Sequence, residues 1–258
     1  MSRKAIQVNN PVIEQLNQRR SVRAFTGDPV REDDLNAILR ATQQAPTSIN
    51  GQQTSLIVIR DKQRIARIAE IAGGQPQVAG ADVVVVFVID FNRTAEAAKI
   101  AGTEQVVERS AEGIVAGAVD AGITLATFQA AANALGYGST PIGGIRRNPA
   151  DLIEFLGLPP RTYPVVAATL GVPDAERLAQ VKPRVPFESY AMAEHYDADK
   201  VAAGVAEYDA VLRAWWDAQG LTQMGTYSED TAKAYSTVYY PSIAASLRAQ
   251  GFEFSDQA

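Results

Sequence analysis

Two clusters of cationic side chains are the features of this chain whose residue types and spacing could do chemistry. Arg19, Arg20 and Arg23 lie within five residues of one another, with Ser21 between them. Guanidinium groups match phosphate oxygens bidentately and stay charged at any working pH, so this cluster predicts an anion site. The segment Lys182–Arg184 adds two cations held rigid by prolines, and we interpret it as a second clamp on the same anion.

Both clusters also admit a purely structural interpretation. The arginines could decorate the end of a helix and pair with its carbonyl groups or with Asp28, Glu32 and Asp33. The second cluster could be a simple exposed turn. At the level of the residues these alternatives stay open.

A glycine-rich segment at residues 136–144 matches neither of the common phosphate-binding motifs. It lacks the Gly-Lys-Ser/Thr ending of a Walker A loop and is not a GxGxxG that follows a strand. A helix cap followed by a tight turn explains Gly136 and Gly138 but gives no reason for Gly143-Gly144. Adjacent glycines let a flat ligand approach the backbone. The loop at residues 47–52 offers hydroxyl and amide groups to the edge of a polar heterocycle, or is a solvated turn.

Composition narrows the chemistry further. The sequence has no cysteine, which excludes disulfides, thiolate nucleophiles and cysteine-ligated metal centres. Its single histidine, His195, lies in a polar segment and is interpreted as a surface residue, so neither a metal site nor an imidazole base is predicted. A net charge of −5 argues against nonspecific binding of nucleic acid. If the protein is an enzyme, we expect a cofactor to carry its chemistry.

No segment predicts a membrane span. The longest apolar run, 83–89, is far too short to cross a bilayer, and the N-terminus lacks the apolar core of a signal peptide. The Ala- and Gly-rich stretch at 103–135 is longer, but Glu112 and Asp120 favour a tightly packed core helix, or two. We therefore expect a soluble cytoplasmic protein.

Hydrophobic patterning predicts alternating helices and strands, and hence an α+β or three-layer α/β domain. Predicted strands cover residues 55–60, 83–90 and 165–171; predicted helices begin at Asn10-Pro11 and cover 31–44, 62–71 and about 149–156. The helical segment after Pro173 shows little apolar patterning for a second core. Its large aromatic residues must nevertheless be buried, and a partner subunit is where we expect this; they are Trp215, Trp216, Tyr239, Tyr240, Phe252 and Phe254.

Five motifs in one order carry a resemblance to a known family. They are Arg19–Phe25, Ser48–Gln52, Gly73–Gln75, Pro141–Asn148 and Lys182–Pro186. Together they resemble the nitroreductase family, specifically its branch of oxygen-insensitive NADPH nitroreductases and flavin reductases, over about the whole chain.

The resemblance implies an α+β fold with three α/β/α layers around a mostly antiparallel sheet. It implies a single domain at 1–258, with a core at about 1–172 and an extension at about 173–258 that embraces the partner in an obligate homodimer. It also implies one FMN at each subunit interface, with NADPH or NADH as hydride donor.

The resemblance also assigns site residues. Arg19, Arg20 and Ser21 would hold the phosphate and ribityl chain, Arg23 would lie near the pyrimidine edge, and Lys182 and Arg184 would complete the phosphate clamp. Gln75 would bond the polar edge of the ring, and the Gly143 or Gly144 amide would lie near its N5 atom. The remaining contacts would come from Ser48, Ile49, Asn50 and Gln52 of the other subunit and from Pro141, Ile142 and Ile145 along the ring.

The implied activity needs no catalytic acid or base from the protein. Hydride would pass from NAD(P)H to the flavin N5 and then to a nitroaromatic, a quinone or a similar flat acceptor, in ping-pong order. Arg23 would stabilise the negative charge of the reduced ring. Alternatives are a flavin reductase that supplies reduced FMN, a flavin-binding module without turnover, or unrelated flavin chemistry. The loop at 217–226 carries no positive charge, unlike the arginine-bearing loop of this branch, so use of NADH or of both nicotinamides is open.

Overall fold

The computed structural model describes residues 10–256. Within this range the chain forms two compact units. The first unit comprises residues 10–179 together with 240–256, and the second unit comprises Gln180–Tyr239.

An antiparallel sheet forms the centre of the first unit. Its strands are β1 (Thr54–Ile59), β2 (Val83–Asp90), β3 (Gly138–Ile142) and β4 (Thr162–Gly171), in the order β1-β2-β4-β3. Every neighbouring pair is antiparallel. Strand β2 is buried on both faces, with residues 83–89 no more than 1% exposed, which explains its unbroken β-branched run.

Helices cover both faces of this sheet. The helices of the first unit are α1 (Pro11–Asn17), α2 (Glu32–Thr42), α3 (Lys62–Ile71), α4 (Pro76–Ala79), α5 (Asn92–Ile100), α6 (Ala111–Ala134), α7 (Pro149–Leu156) and α11 (Ile243–Ala249). Helices α8 (Phe187–Tyr190), α9 (Ala198–Asp217) and α10 (Tyr227–Tyr235) belong to the second unit.

Alternation along β2 separates the two apolar layers. Val84, Val86 and Val88 pack on one face with side chains of α3, α4 and α7. Val83, Val85 and Phe87 pack on the other face with side chains of α2 and α6. The resulting helix–sheet–helix layering confirms the predicted three-layer α+β fold.

Most predicted elements lie where the patterning places them. Asn10 caps α1 by accepting hydrogen bonds from the amides of Val12 and Ile13, and α3 and α7 have the predicted bounds. The predicted long helix is shorter than its apolar stretch, because it begins only after Ser110, whose hydroxyl accepts from the Gly113 amide. Among the described residues, α6 alone is long and apolar enough to cross a membrane by length and composition, a test that core helices also pass.

Strand β3 corrects the interpretation of the glycine-rich segment. Gly136, with φ of +83°, follows the end of α6 as predicted, but Gly138 lies in a strand rather than in a turn. Pro141 is tolerated because β3 is an edge strand, where a missing amide donor costs no ladder hydrogen bond.

The second unit has an apolar cluster of its own, which corrects the expectation that this region lacks a core. Tyr208, Leu212 and Trp216 of α9 are buried within it, and Trp215 packs against them. Phe252 is likewise fully buried, in the first unit against Phe91 and Tyr163. The expectation that all the aromatic residues need a partner is therefore wrong for Trp216 and Phe252.

Candidate cofactor-binding site

The arginine segment lies across the β3–β4 pair. The Val22 amide donates to the Ser139 carbonyl and the Thr26 amide to the Val172 carbonyl, each at 3.0 Å. Gly138 and Gly171 face each other in the ladder beneath this segment. A Cβ at either glycine would lie 2.6 Å from Val22 or 2.7 Å from the Phe25 ring, respectively. The glycine pair therefore lets the segment pack directly on the sheet.

The side chains of this segment differ in exposure and in partners. Arg19, Arg20 and Ser21 are partly buried, whereas Arg23 is exposed. Arg20 donates to the carbonyl of Ala179 at 3.2 Å and to that of Gln18, the residue capping α1, at 3.4 Å. The helix-end interpretation is thus correct in part for Arg20.

The expected acidic partners are engaged elsewhere. Glu32 pairs with Arg60 at 2.6 Å, and Asp28 accepts a hydrogen bond from the Thr26 hydroxyl. Within residues 10–256, no carboxylate pairs with Arg20 or Arg23. Their positive charge is therefore not neutralised by a neighbouring acid, as an anion site requires.

Gln75 and Gly144, which are far apart in sequence, are neighbours in the structure. Gly144 is the second residue of a 3₁₀ helix, Gly143–Arg147, that follows β3 directly. A Cβ at Gly144 would overlap the Gln75 amide nitrogen and lie 2.8 Å from the Ala72 carbonyl oxygen. The Gln75 side chain donates to that same carbonyl at 3.0 Å. Packing against Gln75, rather than ligand approach alone, requires a glycine at position 144.

The other residues predicted to contact the ring differ in what they could present to it: the buried ones present only backbone atoms, and the exposed ones present one face. Ile142 and Ile145 are buried in the apolar layer beneath α3 and α7. Pro141 is exposed and Gly143 is partly exposed. The residue that sequence reasoning missed here is Arg146, whose guanidinium would lie 3.2 Å from a Cβ at Gly143. The only sequence signal is the Arg-Arg pair that follows the glycines.

Arg146 braces this turn against β4. It donates to the Val165 carbonyl, and its guanidinium lies 5.9 Å from the centre of the Tyr240 ring. Val165 is the extra residue of a bulge between Phe87 and Val88, because Phe87 pairs with Val166 and Val88 with Pro164. The bulge frees a carbonyl just beyond the end of β3, and Arg146 binds it.

The loop that contains Ser48, Asn50 and Gln52 has an unusual backbone. Ile49, Asn50 and Gln52 have φ angles of 48°, 56° and 52°, in the left-handed region that favours glycine. Ile49 is 96% exposed. Hydrogen bonds fix the loop through Thr47, Arg93 and Asp120.

The second cationic cluster lies in the second unit. The Lys182 ammonium is 4.7 Å from the centre of the Trp216 ring, and the Pro183 carbonyl accepts a hydrogen bond from the Tyr208 hydroxyl at 2.8 Å. Burial raises the pKa of Tyr208, which the charge of Arg184 partly opposes. As predicted, Lys182–Pro186 is not helical, and Lys182 and Arg184 are exposed. His195 is exposed as well, so it remains a surface residue.

A cavity of about 580 Å³ opens elsewhere, between α2 and the edge strand β1. Its lining includes Arg40, Thr54 and Arg93, and of the predicted site residues only Gln52. The predicted site residues other than Gln52 therefore lie outside this cavity. Arg20 and Arg23 without a carboxylate partner in residues 10–256, the Gln75 amide and the partly exposed backbone of Gly143 fit a phosphate group joined to a flat heterocycle.

Comparisons with known proteins identify relatives over most of the chain. The model of the nitroreductase family matches residues 16–172, and that of the nitroreductase family C-terminal domain matches residues 182–255. The chain is 39% identical over 251 residues to an FMN reductase [NAD(P)H] of Bacillus subtilis, covering 95% of this chain and 98% of that protein. It is 33% identical over 186 residues to an NADPH-dependent oxidoreductase of Staphylococcus saprophyticus, covering 72% and 74%.

Solved structures give the same result. The structure of NfrA2 from Bacillus megaterium superimposes with a TM-score of 0.91 at 35% identity, covering 96% of this chain and 100% of that one. The NADPH:FMN oxidoreductase from Vibrio harveyi, complexed with NAD⁺, superimposes with a TM-score of 0.82 at 28% identity, covering 95% and 99%. The chain belongs to the nitroreductase family.

Proposed function

We propose that the protein is an FMN-dependent oxidoreductase that passes hydride from NAD(P)H to nitroaromatics, quinones or similar flat acceptors. The observation that carries this proposal is the arginine segment, docked on the Gly138–Gly171 pair, in which Arg20 and Arg23 pair with no carboxylate of residues 10–256. Family membership and the names of the relatives support it.

The chain's own residues would bind and orient the cofactor. Arg19, Arg20 and Ser21 would bind its phosphate and ribityl chain, and by the family resemblance Lys182 and Arg184 would add to the phosphate contacts. Gln75 and the backbone at Gly143-Gly144 would bind the ring, which, when bound, supplies a two-electron centre that accepts and returns hydride. The ring would also be contacted by Pro141, Ile142 and Ile145, and from the partner subunit by residues 48, 49, 50 and 52.

Arg23 would tune the chemistry instead of anchoring the phosphate. Its guanidinium is exposed and bears no ion pair within residues 10–256, so its full charge is available to a ligand edge. A fixed cation stabilises negative charge that develops on a bound ring. Hydride carries both electrons, and the further proton that the acceptor takes up would come from solvent, so the proposal requires no acid or base from the protein.

We propose further that both nicotinamides serve as donors. The loop at 217–226 has no positive charge, and the nearby Arg213 is committed to other groups. Its guanidinium donates to the carbonyls of Leu221 and Met224 and pairs with Asp217 at 2.8 Å. A cation held in this way is not available to grip the extra phosphate of NADPH. The name of the Bacillus subtilis relative also specifies NAD(P)H.

We propose that the protein acts as a cytoplasmic homodimer whose second unit embraces the partner. Apolar side chains on α1 and α6 are exposed in the single chain: Val12, Ile13, Leu16, Val115 and Val119. Val238 and Tyr239, at the end of the second unit, are 79% and 55% exposed. Faces of this kind are covered by a partner in stable oligomers.

A flavin reductase that supplies reduced FMN is the second candidate function. The observation that favours it is the name of the Bacillus subtilis relative, an FMN reductase. Steady-state rates of nicotinamide oxidation with free FMN and with a quinone would separate the two functions. Saturation with free FMN at a rate above that with the quinone would favour the reductase.

The decisive experiment follows the flavin spectrum. The purified protein should be yellow, or become yellow on incubation with FMN, and its absorbance should bleach when NADH or NADPH is added without oxygen. Protein that stays colourless after reconstitution would refute the proposal. If the protein shows a flavin spectrum that neither NADH nor NADPH bleaches, the result would favour a flavin-binding module without turnover.

A further inference from the structure

Asp120, in the middle of α6, is a buried carboxyl group without a cationic partner. Its side chain is 3% exposed, and no Arg, Lys or His pairs with it in the part of the chain that the structure describes. It accepts hydrogen bonds from the Ser48 amide at 3.1 and 3.2 Å and from the Gln53 side chain at 2.6 Å. A buried, unpaired carboxylate is costly, and an apolar residue would fill the same space more cheaply.

The loop that it contacts is strained. Ile49, Asn50 and Gln52 adopt left-handed backbone conformations, and Ile49 is β-branched, for which this region is least favourable. Burial does not compensate, since Ile49 is almost fully exposed. Hydrogen bonds must therefore hold the loop. Its start is held by Asp120, and its end by the Thr47 hydroxyl, which accepts from the Gln52 amide at 3.0 Å, and by Arg93, which donates to the Gln52 carbonyl.

We infer that Asp120 is the positioning residue of this loop: by binding the Ser48 amide and the Gln53 side chain, it holds Ser48, Asn50 and Gln52 in the conformation that meets the flavin. Only the identity of the ligand rests on the proposed function. The effect of Asp120 on the order of the loop does not depend on FMN.

A substitution at Gly51 provides a second, independent way to disturb the hydrogen bond between Gln53 and Asp120. Its φ of −69° suits any residue, so alanine is compatible with the backbone. A Cβ there would nevertheless overlap the Gln53 side-chain oxygen and lie 3.2 Å from the Ser48 carbonyl oxygen. Gly51→Ala should therefore displace Gln53 from Asp120 and leave the carboxylate itself unchanged.

The experiment compares four variants of the full-length protein: Asp120→Ala, Asp120→Asn, Gly51→Ala and the control Thr124→Ala. Thr124 is buried one turn further along α6, and among residues 10–256 its hydroxyl bonds only the backbone carbonyl of Asp120, at 2.8 Å. Two measurements are made on each: amide hydrogen exchange of residues 47–53 without FMN, and the Kd for FMN from quenching of flavin fluorescence.

Asp120→Ala should raise exchange in this loop and weaken FMN binding by about tenfold, the effect of losing one charge-assisted hydrogen bond. Gly51→Ala should act in the same direction. Asp120→Asn keeps an acceptor for the Ser48 amide, so its loop exchange and its Kd for FMN should stay close to those of the unmodified protein. Thr124→Ala should lower thermal stability but leave loop exchange and FMN binding near the values of the unmodified protein.

Unchanged loop exchange in both Asp120→Ala and Gly51→Ala would overturn the inference, as would equal effects in Thr124→Ala. Should Asp120→Ala fail to fold, Gly51→Ala and Asp120→Asn still decide the question. If the unmodified protein binds no FMN, the proposed function fails, whereas the exchange measurement continues to test the role of Asp120.

Discussion

Gly143 and Gly144 are adjacent in sequence but differ in what surrounds them. A Cβ at Gly144 would overlap the Gln75 side chain and press on the Ala72 backbone, which cannot move without disturbing the end of α3. A Cβ at Gly143 would meet only the tip of the Arg146 side chain, at 3.2 Å. One glycine therefore maintains the internal structure of the site, whereas the other leaves its surface open.

Replacement of each glycine by alanine should separate these roles. Gly144→Ala should displace Gln75, lower the free energy of unfolding by about 1–3 kcal/mol and weaken FMN binding. Gly143→Ala should fold with near-normal stability and affect mainly the reaction at the ring. Urea denaturation and FMN titration of both variants provide the check; equal loss of stability in the two would contradict the assignment.

The arginines differ in the same way. Arg20 is partly buried and bound to two carbonyl groups, whereas Arg23 is exposed. Arg20→Ala should weaken FMN binding by tenfold or more, since a charge-assisted phosphate contact is worth about 1.5–3 kcal/mol. Retention of FMN by Arg20→Ala during dialysis would show that the phosphate lies elsewhere.

Arg23→Ala should leave binding largely intact and change the redox chemistry. Loss of a cation near the reduced ring should lower the two-electron potential by about 30 mV, which corresponds to roughly 1.4 kcal/mol. Titration against a dye of known potential measures this. A potential equal to that of the unmodified protein would mean that Arg23 lies away from the ring.

At the level of elements, Asp82 joins three of them just before β2 begins. Its carboxylate accepts from the Val30 amide at 2.9 Å, from Arg60 at 3.2 Å and from Lys62 at 2.8 Å. The start of α2, the end of β1 and the start of α3 are thereby held together. Burial alone would raise the pKa of Asp82, but the hydrogen bond and charge of Lys62, the Val30 amide and the charge of Arg60 outweigh it and lower that pKa.

This lowered pKa predicts how stability depends on pH. A carboxyl group whose pKa is lower in the folded than in the unfolded state stabilises fully above the unfolded value of about 3.9, and the contribution is lost as the pH falls through the folded value. Asp82→Asn should therefore lower the free energy of unfolding by about 1–3 kcal/mol at pH 7. Below about pH 4 the difference from the unmodified protein should shrink.

Urea denaturation at both pH values measures this, with Asp151→Asn as the matched control. Asp151 is 45% exposed, lies 3.8 Å from Arg67 and accepts a hydrogen bond from the Asn148 side chain that asparagine can also accept, so Asp151→Asn should change little at either pH. A difference for Asp82→Asn that stays constant with pH would contradict the argument.

Elements with a clear hydrophobic period could be predicted from the sequence, and those defined by packing could not. Helices α3 and α7 and strand β2 have their predicted bounds because patterning, caps and prolines agree there. Strand β3 was not predicted, because its Gly, Ser, Thr and Pro residues are typical of turns. It forms a strand because it pairs with β4. The assignment of the five motifs to one site rests on family resemblance and stays a prediction. The proposed role of Asp120 had no sequence signal, since its partners lie about 70 residues away.

For the whole molecule, the exposed face of α6 is the feature that a single chain does not explain. Val115 and Val119 are 56% and 54% exposed, although the helix is otherwise a core element with Phe128 and Ala132 fully buried. The apolar residues of α1 are exposed as well. An apolar surface of this kind fits the proposed subunit interface.

Val119→Glu should disrupt the homodimer, because a charge would be buried at the interface. Sedimentation should then show a larger share of monomer, and FMN binding should fall, since residues 48–52 of the partner would no longer reach the ring. Ile100→Glu is the control, because Ile100 is 81% exposed at the end of α5, outside the α1–α6 face. Dimerisation unaffected by Val119→Glu would place the interface elsewhere.

The position of the arginine segment also determines the order in which the molecule can be assembled. Val22 and Thr26 bond to residues 139 and 172, so their docking closes loops of more than one hundred residues. During synthesis, the arginines have no sheet to lie on until β4 has left the ribosome. A partial chain that lacks β4 therefore cannot form the proposed anion site, and a phosphate ligand that recognises this site would stabilise by mass action only copies that contain that strand.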